Sequence, residues 1–179
     1  SFGKGRIEGV FAPETAALRP EMKYAPKQWV TGWITQKRNQ VQNQTQGGVT
    51  PELAKQLLAH RRRLLKALAD AGAPLLMGTD SPQMFNVPGF ALHRELRLMG
   101  EAGLTPYQVL ESGTKNVGLY VERDLKQDGK FGTVAVGNWA DLVLLEANPL
   151  ESLDNINKRA GVMVRGRWVP KSVTDSGLA

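Results

Sequence analysis

Residues 75–80 read Leu-Leu-Met-Gly-Thr-Asp, a short apolar run that ends abruptly in a carboxylate. A strand buried on both faces is written as a continuous apolar stretch, and an acid at its C-terminal end projects toward the mouth of an α/β sheet or barrel. Such folds keep their chemistry there. The same aspartate could instead cap the following loop or helix, so the choice turns on what surrounds the run.

Helix signals flank it on both sides. Thr50-Pro51-Glu52 supplies an N-cap and a proline at the first helical position, and Gly72 marks the end. Between them Leu53, Leu57, Leu64 and Leu68 line one face, widened by Leu58 and Leu65. His60 falls on that stripe, the position of a packed core histidine rather than a ligand. Beyond Asp80 comes a loop over residues 81–87. A helix then runs from Pro88 to about Ala102, with Leu92, Leu96 and Met99 at helical spacing and Gly103 closing it. Thr105-Pro106 starts another, through Val109 and Leu110 toward Ser112. Helix, strand, loop, helix is the grammar of an α/β layer or barrel.

The chain on either side reads differently. Up to about residue 48 the periodicity is poor and Pro13, Pro20 and Pro26 punctuate it, which predicts irregular chain around one helix over residues 26–43, with Trp29 and Trp33 packing on one face. After Glu122 short strands are expected over residues 131–136 and 140–145, turned at Gly137-Asn138. Two more are expected over residues 162–164 and 167–169, joined through Arg165-Gly166. Small antiparallel strands imply a β appendage, and residues 171–179 read as a polar tail.

Composition narrows the chemistry. With 179 residues and 41% hydrophobic content, the chain suits one domain or a domain with an appendage. No apolar stretch is long enough to span a bilayer, and the opening Ser-Phe-Gly-Lys-Gly-Arg lacks a secretory apolar core, so a soluble chain without membrane partners is expected, its compartment open. There are no cysteines, so a metal would have to rest on carboxylates and the two histidines, His60 and His93. A formal charge of +6 would permit nucleic acid. However, the densest basic run, Arg61-Arg62-Arg63 with Lys66, lies in a helix without interleaved aromatics and reads as a solvated face.

Several motifs then occur in order. They are Gly78-Thr79-Asp80-Ser81-Pro82, Leu92-His93-Arg94-Glu95-Leu96, a Glu101-Ala-Gly-Leu-Thr-Pro106 segment, a glycine-bounded stretch from Gly129 to Gly137 leading into Asn138-Trp-Ala-Asp-Leu-Val-Leu-Leu145, Asn148-Pro-Leu150, and Arg165-Gly166-Arg167-Trp168. Together they resemble the C-terminal part of a metal-dependent amidohydrolase, closest to the imidazolonepropionase-like and Xaa-Pro-dipeptidase-like branch. The resemblance implies an α/β fold: the C-terminal portion of a TIM-like (β/α)8 barrel over residues 1–121, then part of a small β-sandwich over 122–170, with a tail. It implies that Asp80 lies beside one or two divalent metal ions, commonly zinc, and accepts a proton from the attacking water before helping to protonate the leaving nitrogen. Ser81, Gln83 and Asn86 follow the catalytic strand and either touch substrate or satisfy their own loop. His93 aligns with a position that does not ligate metal and could buttress the loop.

The family's His-x-His pair is missing from this sequence. A catalytic zinc needs about three protein ligands, so the chain alone is expected to hold no metal tightly and to be silent. The corresponding enzyme would hydrolyse a carbon–nitrogen bond in an amide, cyclic amide or dipeptide-like substrate. Two rivals are an assembly module whose apolar faces are covered by a second copy or by a missing N-terminal part, and a nucleic-acid binder using the basic run.

Overall fold

A computed structural model of the protein describes residues 13–177. The opening hexapeptide read for a secretory signal and the last two residues of the expected tail lie outside that range. Seven α-helices and three strands are assigned within it: α1 (Pro13–Ala17), α2 (Lys27–Gln46), α3 (Pro51–Asp70), α4 (Phe90–Glu101), α5 (Pro106–Gly113), α6 (Lys115–Arg123), β1 (Leu142–Leu145), β2 (Arg159–Val164), β3 (Arg167–Pro170) and α7 (Lys171–Ser176). Single 3-10 turns cover Pro20–Tyr24 and Leu153–Asn157. No described helix is long and apolar enough to cross a membrane.

The chain divides into two compact units. The first takes the described residues up to Ala71 together with Gly78–Gly103. Its centre is a cluster of Ala16, Met22, Phe85 and Val87, against which Val30, Trp33, Ile34 and Phe90 pack. Trp33 meets Phe85 edge-on with ring centres 5.8 Å apart, whereas Trp29 leans on Trp33 and stays half exposed. The helix over the first tryptophan pair forms as expected, but α1 and a 3-10 turn precede it where irregular chain was predicted.

Helix α3 begins as its sequence dictates. Thr50 Oγ1 accepts from the Leu53 amide at 3.1 Å, Pro51 occupies the first turn, and Gly72, at φ 72°, follows the end. Its leucine stripe is not a core face, however. Leu53, Leu57, Leu64 and Leu68 are 39%, 47%, 58% and 41% exposed, and Ala54 and Leu65 are the buried positions. His60, expected in a packed face, is likewise exposed, with Nδ1 3.3 Å from Arg63 Nη2. Helical periodicity marks which face is apolar but not whether anything covers it. Two of the four cations in the basic run are paired: Arg62 with Glu101 at 2.7 Å and Lys66 with Asp70. On α4, Leu96 and Met99 are buried as spaced, together with Ala91 and Leu98, while Leu92 is exposed.

The second unit takes Gly72–Met77 and the described residues from Leu104 onward. Thr105 and Gln108 form a reciprocal capping box at the start of α5, and Val109 and Ser112 are fully buried. Residues 75–80 were expected as a strand buried on both faces, and they form none. Met77 N–H donates to the Ser112 carbonyl at 2.9 Å, and the Leu75 carbonyl accepts from the Asn116 side chain at 3.0 Å. Leu75, Met77 and Thr79 are half-buried, but Leu76, Gly78 and Asp80 are exposed. A strand exists through hydrogen bonds to a neighbouring strand, and among the described residues none lies beside this segment.

Helix α6, for which the sequence reading offered no element, follows α5 directly. An added Cβ on its Gly118 would stand 2.4 Å from the Phe131 carbonyl oxygen, so the glycine-bounded segment approaches this helix backbone to backbone. Residues 131–136 are bends and irregular chain rather than the expected strand. Val134 and Val136 face solvent, and the local order comes from Gly132 and Gly137 at positive φ and from Phe131 stacked on Trp139 at 5.6 Å. The turn at Gly137-Asn138 forms, closed by the Asn138 amide donating to the Ala135 carbonyl at 3.1 Å.

The remaining strands form one antiparallel sheet in the order β1-β2-β3. Val162 pairs with Val143 on one side and Val169 on the other. Arg165 and Gly166, at φ 50° and 80°, make the tight turn of the β2–β3 hairpin. Asp141 Oδ1 accepts the Arg165 amide at 2.6 Å, and the Arg165 guanidinium lies 3.6 Å over the Trp139 ring, which gives the Trp-Ala-Asp motif a structural task. Residues 171–176 form α7 instead of continuing as tail, because nothing after Pro170 interrupts a short helix there.

Candidate active site

The loop after Asp80 folds back on itself and brings together four of the residues singled out in the sequence. Asp80 takes a left-handed backbone, φ 56°, a conformation that aspartate tolerates better than most side chains. It is exposed, and its Oδ2 accepts from Gln83 Nε2 at 2.6 Å. The Gln83 carbonyl accepts the Asn86 amide at 2.7 Å, closing an isolated antiparallel bridge between these two residues. Asn86 Nδ2 then returns to the Thr79 carbonyl at 3.2 Å, and Thr79 Oγ1 donates to Ser81 Oγ at 3.0 Å. The Ser81–Pro82 peptide bond is cis.

Two groups to which the sequence reading gave no site role secure this loop. Phe85, 2% exposed, drops into the apolar cluster of the first unit. Arg94 Nη2 donates to the Phe85 carbonyl at 3.3 Å and stands 3.7 Å from Glu21 Oε1. Burial, reinforced by nearby Arg19, holds the Arg94 guanidinium below the usual arginine range, and Glu21 works against that shift. Arginine nevertheless stays charged at neutral pH. The apolar pair Met84-Phe85 between Gln83 and Asn86 was the available signal for Phe85. Arg94 stands inside the Leu92–Leu96 motif, but nothing in that motif told which groups it would bind. His93, half-buried on α4, is the immediate neighbour of this anchoring arginine.

The Asp80 carboxylate is held by a neutral amide and pairs with no cation among the described residues. Such a carboxylate can accept a proton or share in a cation's coordination. Alone it does not make a metal centre. Among the described residues no three His, Cys, Asp or Glu side chains come together to hold an ion, so these residues do not by themselves fit one.

Comparison with known proteins gives the wider context. The model of the amidohydrolase family matches residues 22–169. A crystal structure of an amidohydrolase is 23% identical, with a TM-score of 0.51, over 68% of this chain and 29% of its own. A crystal structure of an uncharacterized protein is 24% identical over 67% of this chain and 29% of its own, with a TM-score of 0.47. The chain thus spans less than a third of the length of the structures it matches. No curated relative matches its sequence.

Proposed function

The chain belongs to the amidohydrolase family, and from that premise we propose that it carries the proton-relay carboxylate, Asp80, of a metal-dependent hydrolase acting on carbon–nitrogen bonds. The observation that supports this role is the exposed carboxylate bonded to a neutral amide and paired with no cation among the described residues. Asp80 takes a proton from the water attacking the substrate carbonyl and returns it to the departing nitrogen, since one group can act first as base and then as acid. The substrate class is an amide, cyclic amide or dipeptide-like molecule, and the branch is the imidazolonepropionase-like and Xaa-Pro-dipeptidase-like one. Ser81, Gln83 and Asn86 stand next to the carboxylate, where a substrate would contact the loop. In this reading the described residues up to 121 are the end of a (β/α)8 barrel, and the sheet within residues 122–170 is part of a β-sandwich.

A divalent cation, zinc in this reading, supplies Lewis acidity in the family's chemistry. Its remaining ligands are not assembled among the residues described, and the 179-residue chain is by this reading silent alone. The test is hydrolysis of N-acyl amino acids, dipeptides and cyclic amides with added zinc. In a polypeptide that also provides the histidine ligands, Asp80→Asn should lower kcat by about a hundredfold or more. Undiminished turnover would remove Asp80 from the reaction, and robust turnover by the isolated chain would overturn its silence.

A second reading, an assembly module, is favoured by the exposed leucines of α3. A chain that elutes as a monomer with Leu57 and Leu64 intact would count against it. The basic run gives less support to nucleic-acid binding, because Arg62 and Lys66 are already engaged by carboxylates.

A further inference from the structure

We propose that Gln83 is the positioning residue of the Asp80 carboxylate, committing Oδ2 and leaving Oδ1 as the oxygen that handles the proton. The inference rests on the reading of Asp80 given above. Gln83 Nε2 donates to Oδ2 at 2.6 Å, while Oδ1 takes no hydrogen bond or ion pair among the described residues. Among the described residues Oδ1 is therefore the oxygen with its lone pairs unspent.

The donor is itself held in place. Gln83 is bridged to Asn86 through its backbone carbonyl, and the Asn86 side chain reaches back to the carbonyl of Thr79, the residue just before Asp80. The backbone on both sides of the carboxylate and the side chain that grips it thus belong to one small hydrogen-bonded ring. Within the same unit, the Phe85 side chain in the apolar cluster and the Arg94 guanidinium on the Phe85 carbonyl hold this loop. An exposed aspartate ordinarily samples several χ1 wells, and this arrangement selects one.

The identity of the donor matters chemically. A lysine or arginine in the same place would neutralise the carboxylate and weaken it as a base. A glutamine orients it through a neutral N–H and leaves the net charge in place. A serine or threonine hydroxyl could turn to bond elsewhere, whereas the planar amide directs its protons along fixed lines.

The test uses NMR on the full 179-residue chain and needs no turnover. In the wild type, three-bond couplings should report a single χ1 rotamer for Asp80. One Gln83 Hε2 proton should be shifted downfield of those of the other glutamines and lose that shift in Asp80→Ala. Gln83→Leu and Gln83→Glu, which both remove the donor at neutral pH, should collapse the Asp80 couplings to rotamer-averaged values. The Asn86 amide shift reports in each variant that the bridge persists. A single Asp80 rotamer in both variants, or a Gln83 amide indifferent to Asp80→Ala, would overturn the proposal. Failure of the reading of Asp80 shows elsewhere, as hydrolysis undiminished by Asp80→Asn.

Discussion

Phe85 combines a backbone angle that a bulky side chain rarely adopts, φ 60°, with almost complete burial. A left-handed residue of this kind costs roughly 1–2 kcal/mol, which the buried ring offsets by contact with Trp33 and its neighbours. Phe85→Ala should therefore destabilise the protein by about 3–5 kcal/mol in chemical denaturation. The same variant should release the loop that carries Asp80, visible as faster amide exchange at Asn86. A second residue-scale expectation concerns charge. Glu111 titrates below its ordinary value of 4.5 because Lys115 hydrogen-bonds its carboxylate, and Lys115 titrates above its ordinary 10.5 for the reciprocal reason. The stabilisation from Glu111 is complete above the unfolded-state pKa and fades as pH falls through the lowered folded value. That from Lys115 is complete below its unfolded pKa and fades as pH rises through the raised one. Lys115→Met should move the Glu111 midpoint upward in an NMR titration, and an unmoved midpoint would assign the shift to another cause.

At the scale of elements, local chemistry accounts for where helices start and where they meet neighbours. The reciprocal bonds between Thr105 and Gln108 satisfy amides that α5 would otherwise leave open. Thr105→Ala should cost about 1 kcal/mol by urea unfolding. Gly118 of α6 has a different task, since any side chain there would collide with the Phe131 carbonyl oxygen. Gly118→Ala should destabilise by about 1–3 kcal/mol and displace the segment following Gly129. Loss of Phe131–Trp139 ring contacts in the NMR spectrum would report that displacement. The β2–β3 hairpin shows the same economy: Gly161 admits the Trp168 ring, which an added Cβ would meet at 2.4 Å. These boundaries were legible because caps, prolines and turn glycines act within a few residues of one another. The strand expected over residues 131–136 was not, because its valines alternate like strand residues but have no ladder to join.

For the molecule as a whole, the uncovered apolar surface and the incomplete ligand set are separate observations that point the same way. Leu53, Leu57, Leu64 and Leu68 lie open on α3, and Leu76 lies open beside the Asp80 loop in the chain. Among the described residues, Asp80 has no second and third metal-ligating side chain assembled with it. Titration calorimetry of the chain with zinc should accordingly show no saturable binding in the micromolar range. A micromolar site abolished by Asp80→Ala and His93→Ala would reveal ligands not brought together here.

The sequence by itself determined helices α2 to α5 and strands β1 to β3 in their order, though not α6, together with most of their caps and turns and the acid on which the hydrolytic reading stands. Short-range chemistry suffices for these: an N-cap, a turn glycine or an ordered set of motifs needs no knowledge of what packs against it. Only the tertiary structure decided that the α3 leucines face outward, that residues 75–80 pair with no strand, and that Gln83 grips Asp80 while Phe85 and Arg94 anchor the loop. Burial and strand pairing depend on groups far away in the chain, and even a partnership as near as Gln83 with Asp80 depends on how the backbone between them turns, which the residue types alone do not encode.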